Sequence, residues 1–221
     1  MLIRAVLIST LTTSAFALAV SSTPIPSSLP PLLQEVEAKY SKNKTLQADF
    51  QQTSEVASMG QKKLSSGRIL IKKPGKVRWE TLKPDTHLMV SDGVRFWFYT
   101  PPFEKGERGQ VIERKTSEVQ SKLATALLVG SFSVMTEKKW GMKIVEKAPG
   151  VFRLTPKMGV AGTVEKIDVF INSQKQIEKV LLMHQGGNTA EIALSNIETG
   201  KPIEDGLFSF VTPPNTERVT E

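Results

Sequence analysis

Between Gly67 and Pro101 the chain repeats short apolar runs at every second position, broken by turn-forming pairs. In Val77-Arg78-Trp79-Glu80-Thr81 the odd positions are mainly apolar and the even ones charged, the period of a strand with one dry and one wet face. Ile69, Ile71 and Lys73 share the parity of Trp79 if the pleat continues through Pro74-Gly75, which sets a cation at the edge of an apolar face. Strands are predicted near Leu46–Gln51, Leu64–Lys73, Lys76–Leu82, His87–Ser91 and Val94–Thr100, with Asp92-Gly93 as a tight hairpin turn. A second series is predicted near Trp140–Glu146, Val151–Thr155, Val164–Ile171, Ile177–Met183 and Thr189–Glu198. Helical spacing appears twice. Leu32, Leu33, Val36 and Tyr40 form one stripe, and Val119, Leu123, Ala126 and Leu127 another within Ser117–Val129, ended by Gly130. The charged stretch from Phe103 to Lys115 reads as an exposed loop. The sum is an antiparallel meander of about ten or eleven strands, the number at which a sheet curls or closes.

Composition narrows this picture. Residues 1–19 carry Arg4, an apolar run through Val6, Leu7, Ile8 and Leu11, and an Ala17-Leu18-Ala19 ending, the pattern of a secretory signal peptide. Residues 20–31 are rich in Ser, Thr and Pro and read as a flexible lead-in, leaving residues 32–221 as a single domain. Loss of the leader removes Arg4 and no acid, so the formal charge of +7 falls by one. The basic residues are scattered and make no concentrated stripe, which argues against nucleic acid. Cysteine is absent, so an exported chain has no disulfide and must be held by its core alone. Neither His87 nor His184 has metal-ligand spacing, and no nucleophile or phosphate-binding motif occurs. No enzyme, metal or cofactor is expected.

Six short motifs, in order, carry a resemblance: Ala48-Asp49-Phe50-Gln51-Gln52, Ile71-Lys72-Lys73-Pro74, Arg78-Trp79, Val90-Ser91-Asp92-Gly93, Trp97-Phe98-Tyr99, and Phe208-Ser209-Phe210-Val211-Thr212-Pro213-Pro214. Together they resemble the periplasmic lipoprotein carrier family, LolA. The resemblance implies a mainly β fold with some helix: an incomplete, strongly curved antiparallel β-barrel closed by α-helical lid segments around a hydrophobic cavity. It implies a periplasmic, monomeric carrier. Its cargo would be acylated lipoproteins taken from an inner-membrane ABC transporter and passed to an outer-membrane receptor or to the outer membrane itself. A carrier of free lipids, or a sensor of stray lipoproteins with the same half-barrel, is the alternative.

On this reading Phe50, Ile69, Ile71, Val77, Trp79, Met89, Phe96 and Phe98 are candidate wall residues, and Leu123, Leu127, Leu128 and Phe132 belong to the lid. As side chains alone all of them read equally as core; the resemblance singles out Trp79 and Met89 as cavity residues. Phe96 and Phe98 face opposite to Trp97 and Tyr99, and the pattern does not decide which pair points inward. Lys73 takes the position of a family arginine, and Val77 that of a bulkier apolar residue. Lys73 is either a solvated strand-end charge or a rim group that meets cargo or restrains the lid.

Overall fold

The computed structural model describes residues 29–115, 126–137, 140–157 and 161–219. The expected signal peptide, most of the lead-in, and Leu123 lie outside them. Leu29 is already buried in the core and a helix begins at Pro31, so the end of the expected lead-in belongs to the folded body.

Helix α1 spans Pro31–Ser41. Proline at its first position costs nothing, because that N–H has no intrahelical partner, and Leu33, Val36 and Tyr40 form its buried stripe. The strands are β1 (Thr45–Val56), β2 (Gln61–Lys72), β3 (Lys76–Lys83), β4 (His87–Asp92), β5 (Arg95–Thr100), β6 (Gly109–Lys115), β7 (Lys143–Ala148), β8 (Val151–Thr155), β9 (Val164–Ile171), β10 (Ile177–His184), β11 (Thr189–Thr199) and β12 (Thr216–Val219). A short helix, α2 (Phe132–Thr136), precedes β7.

All twelve strands form one curved, open sheet in the order β12-β6-β5-β4-β3-β2-β1-β11-β10-β9-β8-β7. Two of them depart from expectation. The charged stretch to Lys115 is not all loop: Gly109–Lys115 is β6, because Val111 is buried on one face while charged neighbours occupy the exposed positions. β12 follows Pro213-Pro214 and pairs with β6 in parallel, so the sheet is not wholly antiparallel. Neither strand shows a clean alternation.

The two faces of the sheet are covered differently. On the inner face, α1, residues 127–129 and α2 pack against β1–β3 and β8–β11 in one large core. On the outer face, the chain after β11 runs back as a strap. Phe208 packs there with Leu70 and Ile203, and Phe210 lies against the outward-facing group of Val90, Trp97 and Val111. Asp205 pairs with Lys72 at 2.9 Å and Lys76 at 2.8 Å, and Arg78 donates to the Leu207 carbonyl at 3.0 Å.

Candidate binding wall

Opposed residues in an antiparallel pair share a face, so the register decides what lines the inner surface. Ile69 opposes Trp79, Trp79 opposes Met89, Met89 opposes Phe98, and Phe98 opposes Ile112. One position lower, Ile71, Val77, Ser91 and Phe96 form a second row. Phe96 and Phe98 therefore share the face of Trp79, while Trp97 and Tyr99 point outward and meet the Phe210 ring at centroid distances of 6.1 and 5.5 Å.

Cover decreases along the first row. Ile69 is fully buried, Trp79 is 9% exposed, and Met89, Phe98 and Ile112 are half-buried. Phe50, Ile69, Ile71 and Trp79 lie in the main core with Leu127, Leu128 and Phe132, and Met89 packs against it. Of the twelve apolar residues expected at the site, Leu123 lies outside the described residues; the other eleven fall on the inner face or on the segments that cover it. Phe50 packs on Trp79 with ring centroids 4.8 Å apart. Gly67 makes this possible: a Cβ there would stand 2.9 Å from the Phe50 ring and 1.7 Å from the Glu80 carbonyl oxygen.

The covering segments are tied by polar contacts. The helical turn at residues 126–128 ends as expected at Gly130, which has φ of +65°. Gly130 N donates to Leu127 O at 3.0 Å and Ser131 N to Ala126 O at 2.9 Å, a Schellman closure. Glu37 of α1 accepts from Ser133 Oγ at 2.6 Å and from its backbone N–H at 3.3 Å, so it caps the first turn of α2. Tyr40 Oη accepts from the Ile177 backbone N–H at 3.1 Å; burial pushes its phenol up, with that hydrogen bond acting in the opposite sense. These two anchors were not identified from sequence. Ser131 and Ser133 ahead of an apolar run gave the available signal.

Lys73 is held against the end of α1. Its Nζ donates to the Tyr40 carbonyl at 2.9 Å, and its backbone N–H donates to Lys44 O at 2.7 Å. The ammonium therefore satisfies a carbonyl at the C-terminal end of α1, where the helix dipole favours a cation. Partial burial lowers its pKa, opposed by the nearby Glu37 carboxylate. It also lines a shallow crevice with Tyr40, Leu46, Ile71 and Val129. The described element it restrains is α1, not the helix ending at Val129.

Asp92 acts in the turn, where its Oδ1 accepts from Val94 and Arg95 N–H groups at 2.8 and 2.6 Å. His87 stacks on Phe98 and approaches Thr100 Oγ1 at 3.3 Å, whereas His184 meets Thr163 Oγ1 at 2.9 Å with four strands between the two histidines. The fold does not bring them together.

The family described as "Outer membrane lipoprotein carrier protein LolA" matches residues 41–211. An outer-membrane lipoprotein carrier protein of Dechloromonas aromatica is 33% identical over 181 residues, covering 80% of this chain and 82% of that protein. One from Psychromonas ingrahamii is 33% identical over 190 residues, covering 84% of each chain. A LolA superfamily protein of Nitrosomonas europaea aligns in structure at a TM-score of 0.45 and 10% identity, covering 80% of this chain and 97% of that one. The match across residues 41–211 takes in β1 to the strap, the whole of the candidate wall included, and the chain belongs to the LolA family of outer membrane lipoprotein carrier proteins.

Proposed function

We propose that this protein is a periplasmic carrier that takes the acyl chains of lipoproteins against the inner face of its sheet. The observation that carries the reading is the apolar row Ile69–Trp79–Met89–Phe98–Ile112, which passes from full burial under the helices to half-burial at β6. Such a row offers chains a surface already partly dry. Each buried CH₂ contributes about 0.8 kcal/mol, so a long acyl chain exposed to water costs on the order of 10 kcal/mol. A lipoprotein does not cross an aqueous compartment unescorted at that cost.

Release sets the opposite requirement, because a fully apolar, fully closed pocket would retain its load. Leu127, Leu128 and Phe132 lie in the same inner-face core as Trp79. On this reading the helix expected over Ser117–Val129, of which residues 126–129 are described, is the lid, with Phe132 and α1 beside it, and binding exchanges lid-to-wall contacts for chain-to-wall contacts. Lys73, by holding the end of α1, sets how readily that cover shifts. The cargo is received from an inner-membrane ABC transporter and passed to the outer membrane or a receptor in it. The chain acts as a monomer and performs no chemistry on its cargo.

Native mass spectrometry of protein purified from envelope extracts tests the reading, with acylated polypeptides expected on the wild type. Phe98→Glu is expected to remain folded, since Phe98 is only half-buried, and to lose that cargo, since a carboxylate in the wall must be desolvated as chains enter. Free lipids alone on the wild type, or full loading of Phe98→Glu, would refute it.

A further inference from the structure

Three turns of the β1–β6 half of the sheet project from the same end: residues 57–60, 84–86 and 101–108, since an antiparallel meander returns to one end at every second turn. Each of these tips, or the strand end beside it, presents a large apolar side chain to water. Met59 is 61% exposed, Leu82 56% and Phe103 82%, with Leu64 near the same end of β2 at 70%. The first turn is tied at its base to Asn188, whose Oδ1 accepts from the Ala57 N–H at 3.0 Å, and the third to Asn215, whose side-chain amide donates to the Glu107 carbonyl at 2.9 Å; beyond these ties a Cβ added at Gly60 or Gly106 would meet no heavy atom within 4 Å. A single exposed apolar residue is ordinary. Three at successive turns of one end, set two strands or about 10 Å apart across the sheet, with the 57–60 turn carried further out because β2 pairs with β3 only up to Ser66, call for a partner.

The charges of this rim indicate which kind. Lys62 pairs with Glu55 and Lys63 with Asp85. Lys83, Lys105 and Arg108 form no ion pair among the described residues. The remaining acids, Glu104 and Glu107, stand on the third tip, and Glu107 accepts from the Glu104 backbone N–H at 3.1 Å. Apolar points flanked by uncommitted cations match the headgroup layer of a bilayer: the points enter the acyl boundary while ammonium and guanidinium groups meet lipid phosphates. A protein interface is a continuous packed patch, whereas separate protrusions are accommodated by a fluid surface.

We propose that this end of the sheet docks on a phospholipid bilayer through Met59, Leu82 and Phe103, with Lys83, Lys105 and Arg108 on the phosphates. The inference goes beyond the carrier reading and does not depend on it, because the test uses vesicles without lipoprotein. Cargo-free protein is floated with vesicles of phosphatidylethanolamine and phosphatidylglycerol. The wild type is expected to float with them, and the variant carrying Met59→Ser, Leu82→Ser and Phe103→Ser to lose about tenfold or more in partition. Its thermal unfolding and its loading of a synthetic lipopeptide should match the wild type, since none of the three lies on the inner wall. Replacing Lys83, Lys105 and Arg108 with Gln should give a smaller loss that grows with the phosphatidylglycerol fraction. Absence of wild-type binding, or equal flotation of the serine variant, overturns the proposal. If the serine variant instead fails only in delivery to outer-membrane fractions containing protein, the rim meets a receptor and the bilayer assignment is wrong.

Discussion

At the scale of single residues, Lys73 ties the sheet to a helix. A cation on the Tyr40 carbonyl contributes one charge-assisted hydrogen bond and a favourable dipole contact at the C-terminal end of α1. Lys73→Met should remove both, lowering stability by about 1 kcal/mol and speeding hydrogen exchange of the last amides of α1. Lys73→Arg keeps charge and donors and should restore slow exchange. Unchanged exchange in Lys73→Met would show that the contact holds nothing. The parity of Ile69, Ile71 and Trp79 was legible because Arg78 and Glu80 alternate with the apolar positions, and the register confirms it. The orientation of Phe96 and Phe98 was not. In Arg95-Phe96-Trp97-Phe98-Tyr99 both faces are apolar, since the inner wall takes one pair and the strap covers the other, and a strand dry on both sides loses the alternation that marks its direction.

At the scale of elements, the strap explains the apolar outer face and the two strands that escaped the reading. β6 and β12 lie side by side at one edge, each short and charged, and their pairing depends on Phe208 and Phe210 anchoring the chain that leads to β12. That dependence is between positions far apart in sequence, and local periodicity does not carry it. The polar fastening of the strap is pH-sensitive. Hydrogen bonds from Lys76 and Lys72 draw the Asp205 carboxyl down from 3.8 to about 2. A carboxyl depressed in the folded state stabilises it above the ordinary carboxylate range, and this contribution is lost as pH falls from about 4 to about 2. Acidification over that window should loosen the strap and expose Trp97, seen as a red shift of its emission. Asp205→Asn should abolish that portion of the acid response. An identical acid transition in wild type and Asp205→Asn would place the titrating group elsewhere.

At the scale of the whole molecule, the sheet separates two apolar faces with different cover. On the outer one the chain's own strap packs over β2–β6; on the inner one helices pack over β1–β3 and β8–β11, and the face is half-covered toward β6. The three tryptophans report on this arrangement: Trp79 lies on the inner wall, Trp97 on the outer face under Phe210, and Trp140 packs at the margin of the main core. Two single-tryptophan forms, retaining either Trp79 or Trp97 with the others replaced by Phe, should fold, because the replacements keep aromatic bulk. A lipopeptide with brominated acyl chains quenches an indole only at contact range. If cargo lies along the row through Met89 and Phe98, the form retaining Trp79 should be strongly quenched on loading. The form retaining Trp97 should be nearly unaffected, because the sheet itself and the Phe210 ring stand between that indole and the chains. Equal quenching of both, or quenching of Trp97 alone, would mean that acyl chains displace the strap and bind the outer face, and the assignment of the inner row as the carrier's wall would fall.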